Sequence, residues 1–116
     1  MEISIIIPAY NEENRIIPTL NLCYEYLESM NKTYEIIVVD DGSSDNTIQI
    51  LLQYKLVCKA LIILPLSRNR GKGFAVKTGM LNAIGKYRIF MDADGSTPIE
   101  ELEKLLKPLY QLEADI

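Results

Sequence analysis

Two patterns of apolar residues alternate along the chain. Four short runs, at positions 3–7, 34–39, 61–64 and 87–91, are mostly apolar and rich in β-branched or aromatic side chains. Such runs are typical of strands buried on both faces, as in a parallel sheet covered by helices. Pro8 closes the first run and Pro65 ends the third. The sequence therefore predicts four buried strands.

Between these runs, apolar residues return at steps of three and four, which predicts amphipathic helices. Pro18 is expected near the first turn of the first helix, where a missing amide hydrogen costs little. Residues 42–45 offer a turn and an N-cap for the second helix, and Gly85 is the expected stop of a third helix over 72–83. The residues predicted to face the core are Ile16, Leu20, Cys23, Leu27 and Met30 in the first helix, Ile48, Leu51 and Leu52 in the second, Val76, Met80, Ala83 and Ile84 in the third, and Ile99, Leu102, Leu105, Leu106 and Leu109 in the last.

The order of these elements predicts the fold class. Four consecutive strand–helix units favour an α/β protein of three layers, in which helices cover both faces of a mainly parallel sheet. No linker, repeat or low-complexity segment interrupts the sequence, so one domain over residues 1–116 is predicted. Residues 113–116 resemble the start of a further strand. An unfinished strand would leave an open sheet edge, which predicts pairing of two copies as a homodimer.

Composition excludes several classes of protein. The formal net charge of −4 argues against a general binder of nucleic acid or anionic membranes, because either needs a basic surface. The chain has no histidine, which excludes Ser-His-Asp and Cys-His mechanisms. Cys23 and Cys58 fit no metal-ligand spacing and are interpreted as buried free thiols. With no signal peptide and no apolar run near the roughly 20 residues that span a bilayer, a cytoplasmic location is expected.

Polar residues concentrate where the predicted strands end. In an open parallel sheet, ligands bind outside the carboxyl ends of the strands, where the strand order reverses. We therefore expect four polar segments to meet at one edge of the sheet. They are Pro8-Ala9-Tyr10-Asn11-Glu12, Asp40-Asp41-Gly42-Ser43, residues 67–73, and Asp92-Ala93-Asp94.

Asp92 and Asp94 follow the fourth apolar run and are two residues apart. In an extended segment such residues point the same way, so both carboxylates can face one point. Mg²⁺ and Mn²⁺ take oxygen ligands, often one or two carboxylates together with the phosphates of a substrate. The alternative is a polar turn in which an aspartate caps the next helix, and an isolated Asp-x-Asp is more often of that kind.

The other polar segments also allow two interpretations each. A carboxylate of Asp40 or Asp41 can accept hydrogen bonds from a base N–H or a ribose hydroxyl, or Asp41 and Gly42 can simply form a turn. Tyr10 can stack under a nucleobase or pack on a neighbouring helix. The segment 68–73, which carries Arg68, Arg70 and Lys72, can contact phosphate through side chains and a helix N-terminus, or it can form a solvated loop.

Four stretches match one known family, and they occur in the family's order. They are SIIIPAYNEEN at 4–14, IVVDDGSSDNT at 37–47, NRGKG at 69–73 and MDADG at 91–95. On these motifs the chain resembles the N-terminal half of a family 2 glycosyltransferase of the GT-A fold, over nearly its whole length. NRGKG and MDADG are most similar to enzymes that load a sugar onto dolichyl or another polyprenyl phosphate, and closer to the glucosyl than to the mannosyl branch.

The resemblance implies a role for each segment. Tyr10 would lie beside the base, and Asp41, with Asp40 as a second candidate, would recognise the base. Arg70 and Lys72 would lie near the phosphates. Asp92 and Asp94 would be the catalytic pair and the ligands of Mg²⁺ or Mn²⁺, with Asp92 facing ribose or sugar and Asp94 holding the ion on the diphosphate. The residues implied to bind the nucleotide-sugar are Pro8, Ala9, Tyr10, Asn11, Glu12, Asp40, Asp41, Arg70, Lys72 and Ala93.

The implied reaction is a metal-dependent, inverting transfer of a sugar, glucose from UDP-glucose, to a polyprenyl or dolichyl phosphate. The implied partners are the nucleotide-sugar donor and a membrane-borne polyprenyl phosphate. The acceptor-binding half of the family is expected to follow residue 116, and segments there are expected to associate with the membrane. Without that half, the expected alternative is a nucleotide-sugar-binding module that does not turn over.

Overall fold

Four strands alternate with four helices in the computed structural model, which describes residues 1–114 and the side chains of residues 1–107. The strands are β1 (Ile3–Ala9), β2 (Tyr34–Asp40), β3 (Leu61–Pro65) and β4 (Tyr87–Phe90). The helices are α1 (Ile16–Ser29), α2 (Thr47–Lys55), α3 (Lys72–Asn82) and α4 (Ile99–Ala114). The four predicted strands and the four predicted helices between and after them are present, and the predicted α/β fold class is confirmed.

The strands form one parallel sheet in the order β3-β2-β1-β4. β1 pairs with β2 along its whole length, to Ala9 beside Asp40. Its pairing with β4 stops earlier, at Ile6 beside Phe90. The chain passes from β3 at one edge of the sheet to β4 at the other, so the strand order reverses between β1 and β4. A ligand crevice is expected at the carboxyl end of that pair.

Pro8 lies just beyond the point where pairing with β4 stops. The next residue, Ala9, directs its carbonyl toward β2 and accepts a hydrogen bond of 2.8 Å from the amide of Asp41. Since successive residues of a strand alternate between the two neighbouring strands, the donor that proline lacks would have faced β4. The ladder to β4 therefore ends where the sequence has no donor to extend it.

The two faces of the sheet are covered unequally. On one face, buried side chains of α1, α2 and α4 surround Ile3, Ile5 and Ile7 of β1. On the other face, α3 packs over Ile6 and the alternate residues of β2, and it is the one helix there within residues 1–114. The predicted three-layer arrangement is present, with one layer made by a single helix.

α3 approaches the sheet more closely than a larger residue would allow. Ala75 and Gly79 are its buried residues, and the predicted Val76 and Met80 are only partly buried. A Cβ on Gly79 would lie 2.5 Å from Cγ2 of Ile6, so the contact depends on glycine at this position. The prediction favoured larger apolar side chains and missed the small residues that form the contact.

The end of α3 also differs from the prediction. The helix ends at Asn82, and Ala83 is extended, with ψ of 143°. Ala83 is buried, but Ile84 is 66% exposed because the helical periodicity has already stopped. Gly85 is not the helix stop; it is buried against Ser4, with no space for a Cβ.

Most other predicted core positions are buried, while Met30, Ile48 and Ile99 are partly buried and two positions are exposed. Leu52 and Leu105 are more than half exposed, because the adjacent residues Leu51 and Leu106 occupy the inward position of each helix. The side chain of Leu109 lies outside the described residues. The N-cap of α2 is Asn46, rather than a residue of 42–45, and it makes no side-chain capping bond.

The predicted strand from residue 113 is not present in the described part of the chain. Glu113 and Ala114 belong to α4, and Asp115 and Ile116 lie outside the described residues. β3 and β4 are the outer strands of the sheet, and the homodimer stays a prediction. Within residues 1–114, each helix is too short or too polar to cross a bilayer.

Candidate functional site

A cavity of about 340 Å³ opens at the carboxyl edge of the sheet, at the ends of β1 and β4. Segments that follow all four strands contribute to it. Its lining residues are Pro8, Ala9, Tyr10, Glu12, Asp41, Asn69, Gly71, Lys72, Asp92, Ala93 and Asp94. Nine of the twelve predicted site residues belong to this lining, and Asn11, Asp40 and Arg70 do not. The convergence expected from the strand ends is therefore observed.

The end of β1 brings an aromatic ring and a carboxylate to the cavity. Tyr10 is 47% exposed, so its ring can make further contacts. Glu12 Oε1 accepts a hydrogen bond of 2.8 Å from Arg15. Glu12 Oε2 lies 2.7 Å from Arg15 Nε but is not aligned for a hydrogen bond, and it is buried without another partner. A buried acceptor of this kind suits a donor group on a ligand, such as a hydroxyl or an N–H.

Asn11 supports the site from behind instead of lining it. Its backbone has φ of 53°, a left-handed conformation that asparagine adopts more readily than most residues. Its side-chain Oδ1 accepts a 2.8 Å hydrogen bond from the amide of Ser44, and its own amide donates 2.9 Å to Ser43 Oγ. Asn11 therefore joins the end of β1 to the loop after β2.

Asp40 and Asp41 are both buried, but they serve different loops. Asp40 accepts hydrogen bonds from the amide and hydroxyl of Ser43, at 3.0 and 2.5 Å, and so stabilises its own turn. Asp41 lines the cavity and accepts from the amides of Arg70 and Gly71, at 2.7 and 2.9 Å. Its carboxylate thus fixes the backbone of the loop that follows β3.

The basic loop after β3 presents three residues to the cavity, Asn69, Gly71 and Lys72. Arg70 points elsewhere, and its guanidinium lies 4.3 Å from the centre of the Phe74 ring. The ammonium of Lys72 forms an ion pair with Asp92 Oδ1. Lys72 is therefore the basic side chain of this loop that lies in the lining, and Arg70 contributes its backbone amide.

Asp92 and Asp94 share a partner in Ser96. The Ser96 hydroxyl donates 3.2 Å to Asp92 Oδ2, and the Ser96 amide donates 2.9 Å to Asp94 Oδ1. The hydroxyl and amide of Ser96, with a smaller contribution from Arg15, hold the pKa of Asp94 below its usual value. Asp94 is exposed at the cavity, so an ionised carboxylate is presented to solvent at neutral pH.

Ala93 anchors the loop that carries the two carboxylates. It is buried, and its carbonyl accepts a 2.9 Å hydrogen bond from the hydroxyl of Thr19 on α1. The amide of Asp92 donates 3.2 Å to Thr97 Oγ1. The loop after β4 is therefore anchored both to α1 and to itself.

Asp92 and Asp94 fit a divalent cation, because carboxylate oxygens are ligands that Mg²⁺ and Mn²⁺ prefer. The described residues contain no group of three or more histidine, cysteine, aspartate or glutamate side chains placed to hold a metal ion. Two carboxylates form an incomplete shell, so an ion at this site would take its other ligands from water and from a bound phosphate group.

Several supporting residues were not predicted from the sequence. Asn69 and Gly71 were noted only as parts of a motif, yet both line the cavity. Ser96 and Thr19 are single hydroxyl residues, and no spacing pattern in the sequence marks them as partners of this loop. Gly42 has φ of 73°, which the Asp-Gly turn signal does predict.

The chain also matches known proteins in sequence and in structure. Residues 4–116 match the family model described as Glycosyl transferase family 2. The sequence is 45% identical over 119 residues to a dolichyl-phosphate beta-glucosyltransferase of Drosophila melanogaster, covering 97% of this chain and 36% of that protein. The chain thus spans about a third of the length of the curated relatives it matches.

Solved structures resemble the fold as well. The mannosyltransferase PcManGT from Pyrobaculum calidifontis, in complex with GDP-Man and Mn²⁺, superposes with a TM-score of 0.71 at 29% identity, over 80% of this chain and 27% of that one. S. aureus TarS 1-349 in complex with UDP superposes with a TM-score of 0.69 at 32% identity, over 81% of this chain and 28% of that one.

Proposed function

Because this chain belongs to glycosyl transferase family 2, we propose that its cavity binds the donor of a glucosyl transfer, UDP-glucose, together with Mg²⁺ or Mn²⁺. In this proposal the chain supplies the donor-binding part of a reaction that transfers glucose to dolichyl or another polyprenyl phosphate and inverts the anomeric centre. In this proposal, residues 1–116 form one nucleotide-sugar-binding domain.

The single observation that carries the proposal is the meeting of Tyr10, Lys72, Asp92 and Asp94 around one cavity. A nucleoside diphosphate sugar needs a flat surface for the base, positive charge for the diphosphate and oxygen ligands for the cation that accompanies it. These groups come from the ends of three different strands, and they meet in a chain of this family. The names of the relatives direct the proposal to glucose and to dolichyl phosphate.

Each group has a role in donor binding. The ring of Tyr10 packs against the base. The buried Oε2 of Glu12 accepts a hydrogen bond from a base N–H or a ribose hydroxyl, which would satisfy an acceptor that has no aligned partner among the residues that the structure describes. Asp41 acts indirectly, because its carboxylate already holds the amides of Arg70 and Gly71. The loop fixed by Asp41 then brings Lys72 to the diphosphate.

Asp92 and Asp94 would hold the divalent ion. When bound, such an ion neutralises the negative charge that develops on the departing diphosphate. The chain contributes two carboxylates on an anchored loop, because Ala93 between them is hydrogen-bonded to Thr19. It also contributes Asp94, whose pKa is held below its usual value by hydrogen bonds from Ser96.

The acceptor chemistry explains why no general base is needed in this part of the protein. A phosphate oxygen of the acceptor is already anionic at neutral pH and attacks the anomeric carbon directly. The bond between that carbon and the diphosphate oxygen breaks, and UDP leaves with the electron pair. One displacement from the face opposite UDP inverts the configuration.

For residues 1–116 on their own, we propose donor binding without turnover. The observation that favours this second reading is that the chain spans 36% of the length of the Drosophila melanogaster relative. In the proposal, the lining of the cavity is already used by the base, the diphosphate and the cation of the donor. The acceptor lipid phosphate then requires residues that the relatives have beyond the matched part. A test of product formation with UDP-glucose and a polyprenyl phosphate separates the two readings.

Isothermal titration of UDP in the presence of Mn²⁺ tests the donor site. We expect Asp94→Asn to weaken UDP binding at least about tenfold when Mn²⁺ is present, and much less when EDTA replaces it, because the variant loses a ligand of the ion. Equal affinity of wild type and Asp94→Asn in Mn²⁺ would contradict the proposal.

Glu100→Gln is the matched control. Glu100 is an exposed carboxylate in the first turn of α4 and is not part of the cavity lining, so the variant makes the same change of charge outside the site. We expect it to bind UDP and Mn²⁺ as the wild type does. An equal loss in both variants would mean that net charge, and not the position of Asp94, controls binding.

A further inference from the structure

Lys72 forms an ion pair with one of the two carboxylates that would hold the cation. Its ammonium is paired with Asp92 Oδ1, and the other oxygen, Oδ2, accepts from Ser96. The same ammonium lies 5.8 Å from the centre of the Phe90 ring, on the strand that leads into Asp92. In this state both oxygens of Asp92 already have partners.

The backbone beneath Lys72 is fixed, but its side chain is free to move. The amides of Arg70 and Gly71 are held by the carboxylate of Asp41, which is buried. The side chain of Lys72 is 59% exposed. A lysine has a flexible stem and a compact charge with no fixed bonding direction, so it can exchange one anion for another at little conformational cost.

A divalent cation and the Lys72 ammonium compete for the same carboxylate. With Lys72 in place, Asp92 and Asp94 together offer the ion one net negative charge; with Lys72 removed, they offer two. A bound diphosphate would supply the ammonium with a different anion within the same cavity, because Lys72 is itself a lining residue.

We propose that Lys72 is an exchangeable counter-ion which makes the binding of cation and nucleotide cooperative. In the free chain it neutralises Asp92 and weakens binding of the cation. When a nucleoside diphosphate enters, Lys72 moves from Asp92 to the diphosphate, and Asp92 becomes a full ligand. The inference rests on the proposed donor site and adds to it an order of events and a residue that controls that order.

Linkage gives the proposal a quantitative form. If UDP tightens Mn²⁺ binding by some factor, Mn²⁺ must tighten UDP binding by the same factor. Part of the factor comes from direct contact between the ion and the diphosphate, and that part does not need Lys72. The remaining part comes from release of Asp92 and disappears when residue 72 carries no charge.

The test measures Mn²⁺ affinity by electron paramagnetic resonance of the free ion, with and without saturating UDP, in the wild type, Lys72→Met and Lys72→Arg. For Lys72→Met we expect Mn²⁺ alone to bind more tightly than to the wild type, by a factor of about 5, the upper range for a partly exposed ion pair. The affinity for UDP should fall in the same variant, because the diphosphate loses the positive charge of the Lys72 ammonium. The factor by which UDP tightens Mn²⁺ should fall accordingly, and Lys72→Arg should restore it.

Opposite signs distinguish this mechanism from damage to the site. A variant that merely disturbs the loop would weaken Mn²⁺ and UDP together. Lys77→Met is the matched control, because it removes the same charge from an exposed position on α3 that is not in the lining. It should leave both affinities and the coupling factor unchanged.

Two results would overturn the inference, and they are distinguishable. If the wild type binds UDP with Mn²⁺ but Lys72→Met leaves the affinity for Mn²⁺ alone unchanged or lower, the exchange at Lys72 is wrong and the donor site stands. If the wild type binds no UDP in the presence of Mn²⁺, the donor site and the inference fail together.

Discussion

Gly42 lies so close to Asn69 that a Cβ on Gly42 would be 2.5 Å from the amide nitrogen of Asn69. The same Cβ would lie 2.5 Å from the carbonyl carbon of Arg68. Backbone therefore packs directly on backbone, and the neighbouring Asp41 carboxylate bonds the amides one and two residues further along the loop. The turn after β2 and the loop after β3 form one unit, which determines where Lys72 enters the cavity.

Gly42→Ala should displace this loop. The glycine has φ of 73°, and the added methyl also meets backbone atoms that cannot rotate away. We expect a loss of about 4 kcal/mol in the free energy of unfolding, measured by urea denaturation, from strain and overpacking together. UDP affinity should fall as well, because Asn69 and Lys72 belong to the displaced loop.

Gly71, at the end of the same loop, and Gly73, in the first turn of α3, separate backbone strain from overpacking. Gly71 has φ of 98° but no atom within 4 Å of an added Cβ, so Gly71→Ala should show the strain alone, about 1–3 kcal/mol. Gly73 lies in α3 with open space around it, and Gly73→Ala should stabilise by about 0.5–1 kcal/mol. A loss for Gly42→Ala no larger than the about 1–3 kcal/mol expected of strain alone would show that the contact with Asn69 carries no cost.

Gly79→Ala should push α3 away from β1. The new methyl would meet Cγ2 of Ile6 at 2.5 Å and Cγ2 of Val39 at 3.2 Å, in a layer that only α3 covers. We expect a loss of about 1–3 kcal/mol. Ile6→Ala removes the obstructing atom, so the double variant should be more stable than the sum of the two single losses predicts, by at least about 0.5 kcal/mol. Strict additivity in a double-mutant cycle would contradict the close contact.

The carboxylate of Glu35 joins the amino-terminal parts of β1 and β2 to the segment before β4. It is 3% exposed, and Oε2 accepts from Ser4 Oγ at 2.6 Å and from the amide of Ile84 at 2.8 Å. Glu35→Ala leaves the buried hydroxyl of Ser4 and the partly buried amide of Ile84 without this acceptor, and should cost about 2–3 kcal/mol of unfolding free energy. Glu35→Gln keeps one oxygen and should cost less. A larger loss for glutamine than for alanine would show that the negative charge matters more than the acceptor.

The two thiols should be inert in the folded protein. Burial, and then the nearby Cys58, raise the pKa of Cys23 to about 12, and burial also raises the pKa of Cys58. Neither thiol should react with a thiol reagent at pH 8 until the chain unfolds. The thiols of the unfolded chain ionise near 9.0, so the unfolded state loses protons first. The free energy of unfolding should therefore decrease as the pH rises above 9, and urea denaturation at pH 8 and at pH 9.5 measures that decrease. Rapid labelling of native protein would contradict the burial.

The sequence predicted the sheet well because its strands are continuous apolar runs that have no other stable placement. It failed at α3, where Ala75 and Gly79 make the contact. Hydrophobic periodicity follows large side chains, but a close approach of helix and sheet is made by small ones. Leu52 shows the related error, since apolar character alone did not reveal which of two adjacent leucines faces inward.

The candidate site was predicted to the level of segments and not of individual contacts. The rule for parallel sheets brought Pro8, Asp41, Asp92 and Asp94 to one edge, and they do meet there. It could not predict that Asp40 stabilises its own turn, or that Arg70 lies over Phe74. Those outcomes depend on which oxygen or which face of a ring happens to be within reach in three dimensions.

The binding of UDP and a divalent cation at the carboxyl edge is tested most directly by paramagnetic broadening of amide signals. Nuclear magnetic resonance spectra of the labelled chain with UDP and Mg²⁺ serve as the reference, and a small fraction of Mn²⁺ is then added. We predict the strongest loss of signal at residues 92–95, with weaker loss at 8–12 and 69–72. Signals of residues 31–33 and 57–60, at the opposite edge of the sheet, should be unchanged. Broadening centred on that opposite edge, or no UDP-dependent broadening at all, would contradict the account.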